Sequence, residues 1–130
     1  MLGIFIVLAI GVPVGVYYKS SAYDNKVFII RHAQSEANVF EAEHGPVAAH
    51  KAHALIDPPL TTKGVQEAIA QQKLTNTIDF TRVYVSPMRR TIQTAYYMFR
   101  EHPNFDKIEF VLAPLAREVL LGADGIAQDI

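Results

Sequence analysis

A chain of 130 residues, 50% hydrophobic and 19% charged, is long enough for one small domain with a real core. Its formal charge of -1, with acids and bases nearly balanced, lacks the basic excess of a general nucleic-acid binder. The absence of cysteine excludes disulfides and cysteine–zinc sites while leaving the compartment open.

Residues 1–18 carry no charged side chain and stand apart from the rest. The run lies at the lower length limit for spanning a bilayer, and Tyr17-Tyr18 with Lys19 resemble an interfacial anchor. Three readings stand side by side. One is a single-pass anchor over residues 1–19, with membrane contact through residues 2–18. The second is a cleaved signal peptide with Ser20-Ser21-Ala22 as the small-residue cleavage site, which would make the protein secreted. The third is a buried N-terminal helix or a wrongly chosen start codon. For an anchor, Lys19 and Lys26 on the far side place the following domain in the cytoplasm.

Residues 20–25 form a short polar linker, and residues 26–130 form the domain proper. Val27-Phe28-Ile29-Ile30 is continuously apolar, the pattern of a strand buried in a parallel sheet. Residues 39–59, with Gly45-Pro46 and Asp57-Pro58-Pro59, are expected to be loop with one or two helical turns. Thr61 or Thr62 caps a predicted helix that places Val65, Ala68, Ile69 and Gln72 on one face and fades near Thr75-Asn76. Arg82–Val85 reads as a second strand. Ser86-Pro87 then starts a helix running to about Arg100, with Ser at the cap and Pro in the first turn. Ile108–Leu112 is a third strand.

Strand, helix, strand, helix, strand predicts an α/β fold with a mainly parallel sheet. Ligands bind beyond the carboxyl ends of such strands, so chemistry-bearing residues should follow each strand directly. They do: Arg31-His32 after the first, Ser86 to Arg90 after the second, and Arg117-Glu118 shortly after the third. Arg31 and Arg90 offer planar guanidinium forks suited to phosphate oxygens, and Asn38 adds a neutral amide donor. His32 between cations is biased toward the neutral ring, the form that can attack phosphorus. Glu118 is a candidate general acid if its proton is held near neutral pH. Composition and spacing alone reach an anion-binding rim on an α/β sheet.

The motifs go further. Arg31-His32-Ala33-Gln34-Ser35-Glu36-Ala37-Asn38 resembles the Arg-His-Gly, four residues, Asn signature of the histidine phosphatase superfamily, the phosphoglycerate mutase-like proteins. Pro59-Leu60-Thr61-Thr62-Lys63-Gly64-Val65-Gln66-Glu67-Ala68 is similar to its Pro-Leu-Thr segment. Ser86-Pro87-Met88-Arg89-Arg90-Thr91-Ile92-Gln93-Thr94-Ala95 is similar to its Ser-Pro-Leu segment, and Leu115-Ala116-Arg117-Glu118 more loosely to its Leu-any-Glu segment. Together the matches cover about residues 26–122 in the right order.

The resemblance implies a three-layer, Rossmann-like α/β sandwich, here truncated and preceded by the apolar N-terminal helix. It implies that His32 is phosphorylated, that Arg31, Asn38 and Arg90 hold the phosphate, and that Glu118 protonates the leaving oxygen. No metal or organic cofactor is implied. The partner is a phosphorylated small molecule or phosphoprotein. Whether water or a second hydroxyl accepts the phosphate separates a hydrolase from a mutase.

Two departures stand out. Ala33 replaces the usual glycine, which costs something if the position needs a positive φ. The family's second catalytic histidine, in a His-Gly context beyond the acid, and the remaining strands have no counterpart before Ile130. The chain therefore reads as a fragment or a truncated product, poorly active and marginally stable alone, and a membrane-tethered, non-catalytic phosphate- or protein-binding module is the competing function. His44, His50 and His53 match no zinc spacing and read as solvated loop histidines. Gln93 and Thr94 read as helix packing or as contacts that support the site.

Overall fold

The computed structural model describes residues 3–6, 16–20, 26–52 and 55–116. Five strands form one sheet: β1 (Gly3–Ile6), β2 (Val16–Ser20), β3 (Lys26–Ile30), β4 (Arg82–Val85) and β5 (Glu109–Leu112), in the spatial order β2-β3-β1-β4-β5. The β1/β3, β1/β4 and β4/β5 pairs are parallel, and β2 runs antiparallel to β3. The predicted strands at 27–30, 82–85 and 108–112 are thus present within a residue of their expected bounds, and the sheet is mainly parallel.

Of the N-terminal run expected to be an apolar helix, the described residues 3–6 and 16–20 are strands instead. Gly3–Ile6 pairs with Lys26–Ile29 on one side and, through Ile6, with Tyr84 on the other, while Val16–Ser20 lies along Lys26–Ile30. A short, uninterrupted apolar run fits a central parallel strand as well as it fits a membrane helix, because periodicity cannot separate the two. The backbone groups of β1 are satisfied by its neighbours in the sheet. Among the described residues no helix is long and apolar enough to cross a membrane. Of the linker expected at residues 20–25, Ser20 belongs to β2 and residues 21–25 lie outside the described residues.

Among the described residues five α-helices accompany the sheet: α1 (Glu36–His44), α2 (Pro46–Lys51), α3 (Thr62–Ala70), α4 (Gln72–Thr75) and α5 (Arg89–Phe99). The stretch 39–59 holds more helix than the sequence suggests. Its start is fixed by a local device: Asn38 Oδ1 accepts from both the backbone N–H and the hydroxyl of Ser35, 3.0 Å each. Helix α3 begins as predicted, the Thr61 hydroxyl accepting from the Gly64 N–H at 3.0 Å. Helix α5 begins at Arg89, later than Ser86-Pro87 implies. Its first N–H donates to Asp57 Oδ1 at 2.7 Å, so the capping acceptor comes from a distant loop. Ser86 instead offers its carbonyl to the Thr91 hydroxyl, 2.7 Å away.

The core joins Phe28, Ile30, Val83 and Val85 of the sheet to Ala68 of α3 and Ala95, Met98 and Phe99 of α5. Phe80 fills its centre, edge-on to Phe28 at 5.5 Å and to Phe99 at 5.2 Å. These strand residues alternate with half-buried Val27, Ile29 and Tyr84, so the face turned to α3 and α5 is the more deeply buried one. His102 is buried against Phe80 and Phe99; its Nε2–H donates to the Ile78 carbonyl and Nδ1 accepts from the Asn104 N–H, 3.0 Å each.

Candidate active site

Because β3, β4 and β5 run parallel, Ile30, Val85 and Leu112 end at one rim, and the segments after them converge there. Arg31 and His32 follow Ile30 directly. With Gln34, Asn38, Glu41, Ala42 and Glu67 they line an open cavity of about 560 Å³.

The His32 ring is 4% exposed, and its Nδ1 lies 2.7 Å from the Ala33 carbonyl oxygen. A carbonyl only accepts, so Nδ1 carries a proton, and in the neutral ring the lone pair then belongs to Nε2. That is the tautomer a nucleophilic imidazole needs. Asn38 spends Oδ1 on Ser35, which leaves its amide Nδ2 as the group it offers a ligand.

The loop carrying His32 is fixed by α3. Gln34 donates its N–H to Glu67 Oε2 at 3.0 Å and accepts from the Thr61 N–H at 3.0 Å. Gly64 presses against it so closely that a Cβ at this position would lie 2.0 Å from the Gln34 carbonyl oxygen. Helix α5 holds the loops from the other side: Gln93 Oε1 accepts from the Leu60 N–H at 2.8 Å, and Thr94 Oγ1 accepts from the Ala33 N–H at 3.1 Å.

Ala33 does not have the positive φ that would penalise a side chain; among the described non-glycine residues only Asp57 does, at 47°. The Ala33 methyl is buried in the core, so the departure from glycine carries no backbone strain.

Of the sequence-predicted residues, Arg31, His32 and Asn38 share the cavity. Arg90 sits in the first turn of α5, 2% exposed, and is not among the described residues lining it. Glu118 and Arg117 lie outside the described residues. The sequence reading missed Glu41 and Glu67 as cavity walls and Asp57 as the cap of α5. Local pattern gives no sign of Asp57's role, because its partner is 32 residues away.

The cavity that Arg31 and His32 share at the rim of the parallel sheet is joined by a match over residues 27–124 to the model of the histidine phosphatase superfamily, branch 1. The chain belongs to the histidine phosphatase superfamily. Among curated proteins, it is 32% identical over 90 residues to a zebrafish (Danio rerio) protein named fructose-2,6-bisphosphatase TIGAR B, a stretch that is 69% of this chain and 32% of that one. The chain thus spans about a third of this relative's length. A solved Escherichia coli structure, titled as an alpha-ribazole-5'-P phosphatase, superposes with a TM-score of 0.56 at 22% identity, covering 75% of this chain and 43% of that one. At this identity the likeness shows the superfamily's fold alone.

Proposed function

We propose that this chain carries the nucleophile of a phosphatase that hydrolyses phosphate monoesters through a phosphohistidine on His32. The observation that carries the reading is the His32 ring, held as the Nδ1–H tautomer by Ala33 while sharing a cavity with the Arg31 guanidinium. Phosphoryl transfer is chiefly a matter of placing the nucleophile and stabilising negative charge, and these two groups supply both.

In this reading Nε2 attacks phosphorus and the bond to the ester oxygen breaks. Arg31, Arg90 and the Asn38 amide hold the phosphoryl oxygens, and Glu118 gives its proton to the departing alkoxide. Water then attacks the phosphohistidine and gives a proton to the Glu118 carboxylate, the P–N bond breaks with its electron pair returning to Nε2, and inorganic phosphate leaves. The name of the zebrafish relative points to a phosphorylated sugar as the kind of substrate. Glu41 and Glu67 on the cavity wall suit hydroxyl groups better than a second anionic group.

Hydrolysis of p-nitrophenyl phosphate tests the reading, with base-stable, acid-labile phosphorylation of His32 as the direct signature. His32→Ala should abolish both; unchanged turnover in that variant removes His32 from the mechanism. A second reading is a phosphate-binding module without turnover, since Arg31 and Asn38 on the cavity wall are anion-binding groups whether or not His32 is phosphorylated. Vanadate binding that His32→Ala weakens, with no hydrolysis by the wild-type chain, would select it.

A further inference from the structure

The backbone of Ala33 is held at both ends. Its carbonyl accepts the Nδ1 proton of His32 at 2.7 Å, and its N–H donates to Thr94 Oγ1 at 3.1 Å. The same hydroxyl donates to the Arg90 carbonyl at 2.7 Å. Ala33, Arg90 and Thr94 are each no more than 2% exposed, so water does not stand in for any of these bonds. One hydroxyl, acting as acceptor and donor at once, therefore ties the loop that follows β3 to the first turn of α5, across 61 residues of sequence.

We propose that Thr94 is a positioning residue for His32. By fixing the Ala33 N–H it fixes the carbonyl that holds the imidazole proton on Nδ1, and so decides which ring nitrogen keeps its lone pair. The carbonyl is the acceptor that favours this tautomer; a shift of Ala33 weakens that bond and lets the proton populate Nε2, where it blocks attack. The same hydroxyl sets the turn bearing Arg90, so nucleophile and guanidinium are placed by a common atom. Packing alone does not ask for this residue, since valine has the same shape, but valine can neither accept from Ala33 nor donate to Arg90.

This inference rests on His32 being the nucleophile, yet its central claim is readable without turnover. Nitrogen NMR of protein labelled in its histidine rings reports the tautomer of His32. The wild-type ring should be protonated on Nδ1, and Thr94→Val should show a population protonated on Nε2, while Thr94→Ser reproduces the wild-type spectrum. With p-nitrophenyl phosphate, Thr94→Val should lower kcat by about 10- to 100-fold and move KM by less than about threefold, because a small misplacement of a reacting group is expensive. Thr94→Ser should restore kcat to within about threefold of wild type.

A Thr94→Val protein with the wild-type tautomer and kcat overturns the proposal, as does a Thr94→Ser protein no better than Thr94→Val. If Thr94→Val does not fold, the wild-type and Thr94→Ser spectra decide: Nδ1 protonation in both supports the assignment, and Nε2 protonation in either overturns it. A wild-type chain without hydrolysis counts against the phosphatase reading alone and leaves the spectra to decide this one.

Discussion

Replacing Gly64 by alanine should damage the protein although alanine is the better helix former. Position 64 lies in α3, where the exchange on propensity alone would stabilise by about 1 kcal/mol. The added Cβ, however, meets the Gln34 carbonyl oxygen at 2.0 Å, where ordinary contact begins at 3.4 Å. The obstacle is backbone, and it is pinned: Gln34 donates to Glu67, and its carbonyl accepts from the Thr61 N–H. Helix α3 cannot retreat freely either, since the Thr61 hydroxyl caps it at Gly64. Overpacking of a well-filled site costs about 1–3 kcal/mol, and each hydrogen bond lost in the adjustment adds about 1. The net expectation is a loss of about 2–4 kcal/mol, a large part of the 5–15 kcal/mol typical of a whole domain. Urea denaturation measures it directly, and hydrolysis of p-nitrophenyl phosphate by the folded fraction should fall as well, because Gln34 lies two residues from His32. A Gly64→Ala protein as stable as wild type or more so would refute the close approach.

Other expectations are equally concrete. Asp57→Ala should destabilise by about 1–2 kcal/mol in denaturant titration by removing the acceptor of the Arg89 N–H, and Asp57→Asn, which keeps an oxygen there, should recover most of it. His102→Leu should cost about 2–4 kcal/mol in thermal or urea unfolding, since it leaves the Ile78 carbonyl and the Asn104 N–H without their buried partner. Removing residues 1–20 deletes β1 and β2 and should collapse the dispersed proton–nitrogen NMR spectrum; a dispensable anchor would leave that spectrum intact.

Much of the fold was legible because its signals are local. The apolar run at 27–30, the Thr61 cap and the strand at 82–85 each depend on residues within one turn or one strand. The candidate nucleophile was legible for the same reason, since the sheet rule places whatever follows a strand at the rim. What escaped notice depends on long-range partners. The start of α5 is set by Asp57, from a loop 32 residues away. Gly3–Ile6 is ambiguous on its own, and its pairing with Lys26–Ile29 and Tyr84 makes it a strand. The helix at 36–44 is the exception, a local signal that was available: Ser35 followed by Asn38 three residues later is a capping pattern.

The place of β1 also governs how the molecule can assemble. Gly3–Ile6 leaves the ribosome before the other four described strands, yet one of its two neighbours is β4, and Ile6 meets Tyr84 only after that residue has been synthesised. A nascent chain must carry this apolar stretch half-paired until then, and closing so long a loop is the slow step expected of high contact order. The segment that completes the middle of the sheet therefore stays open to a chaperone until β4 has emerged.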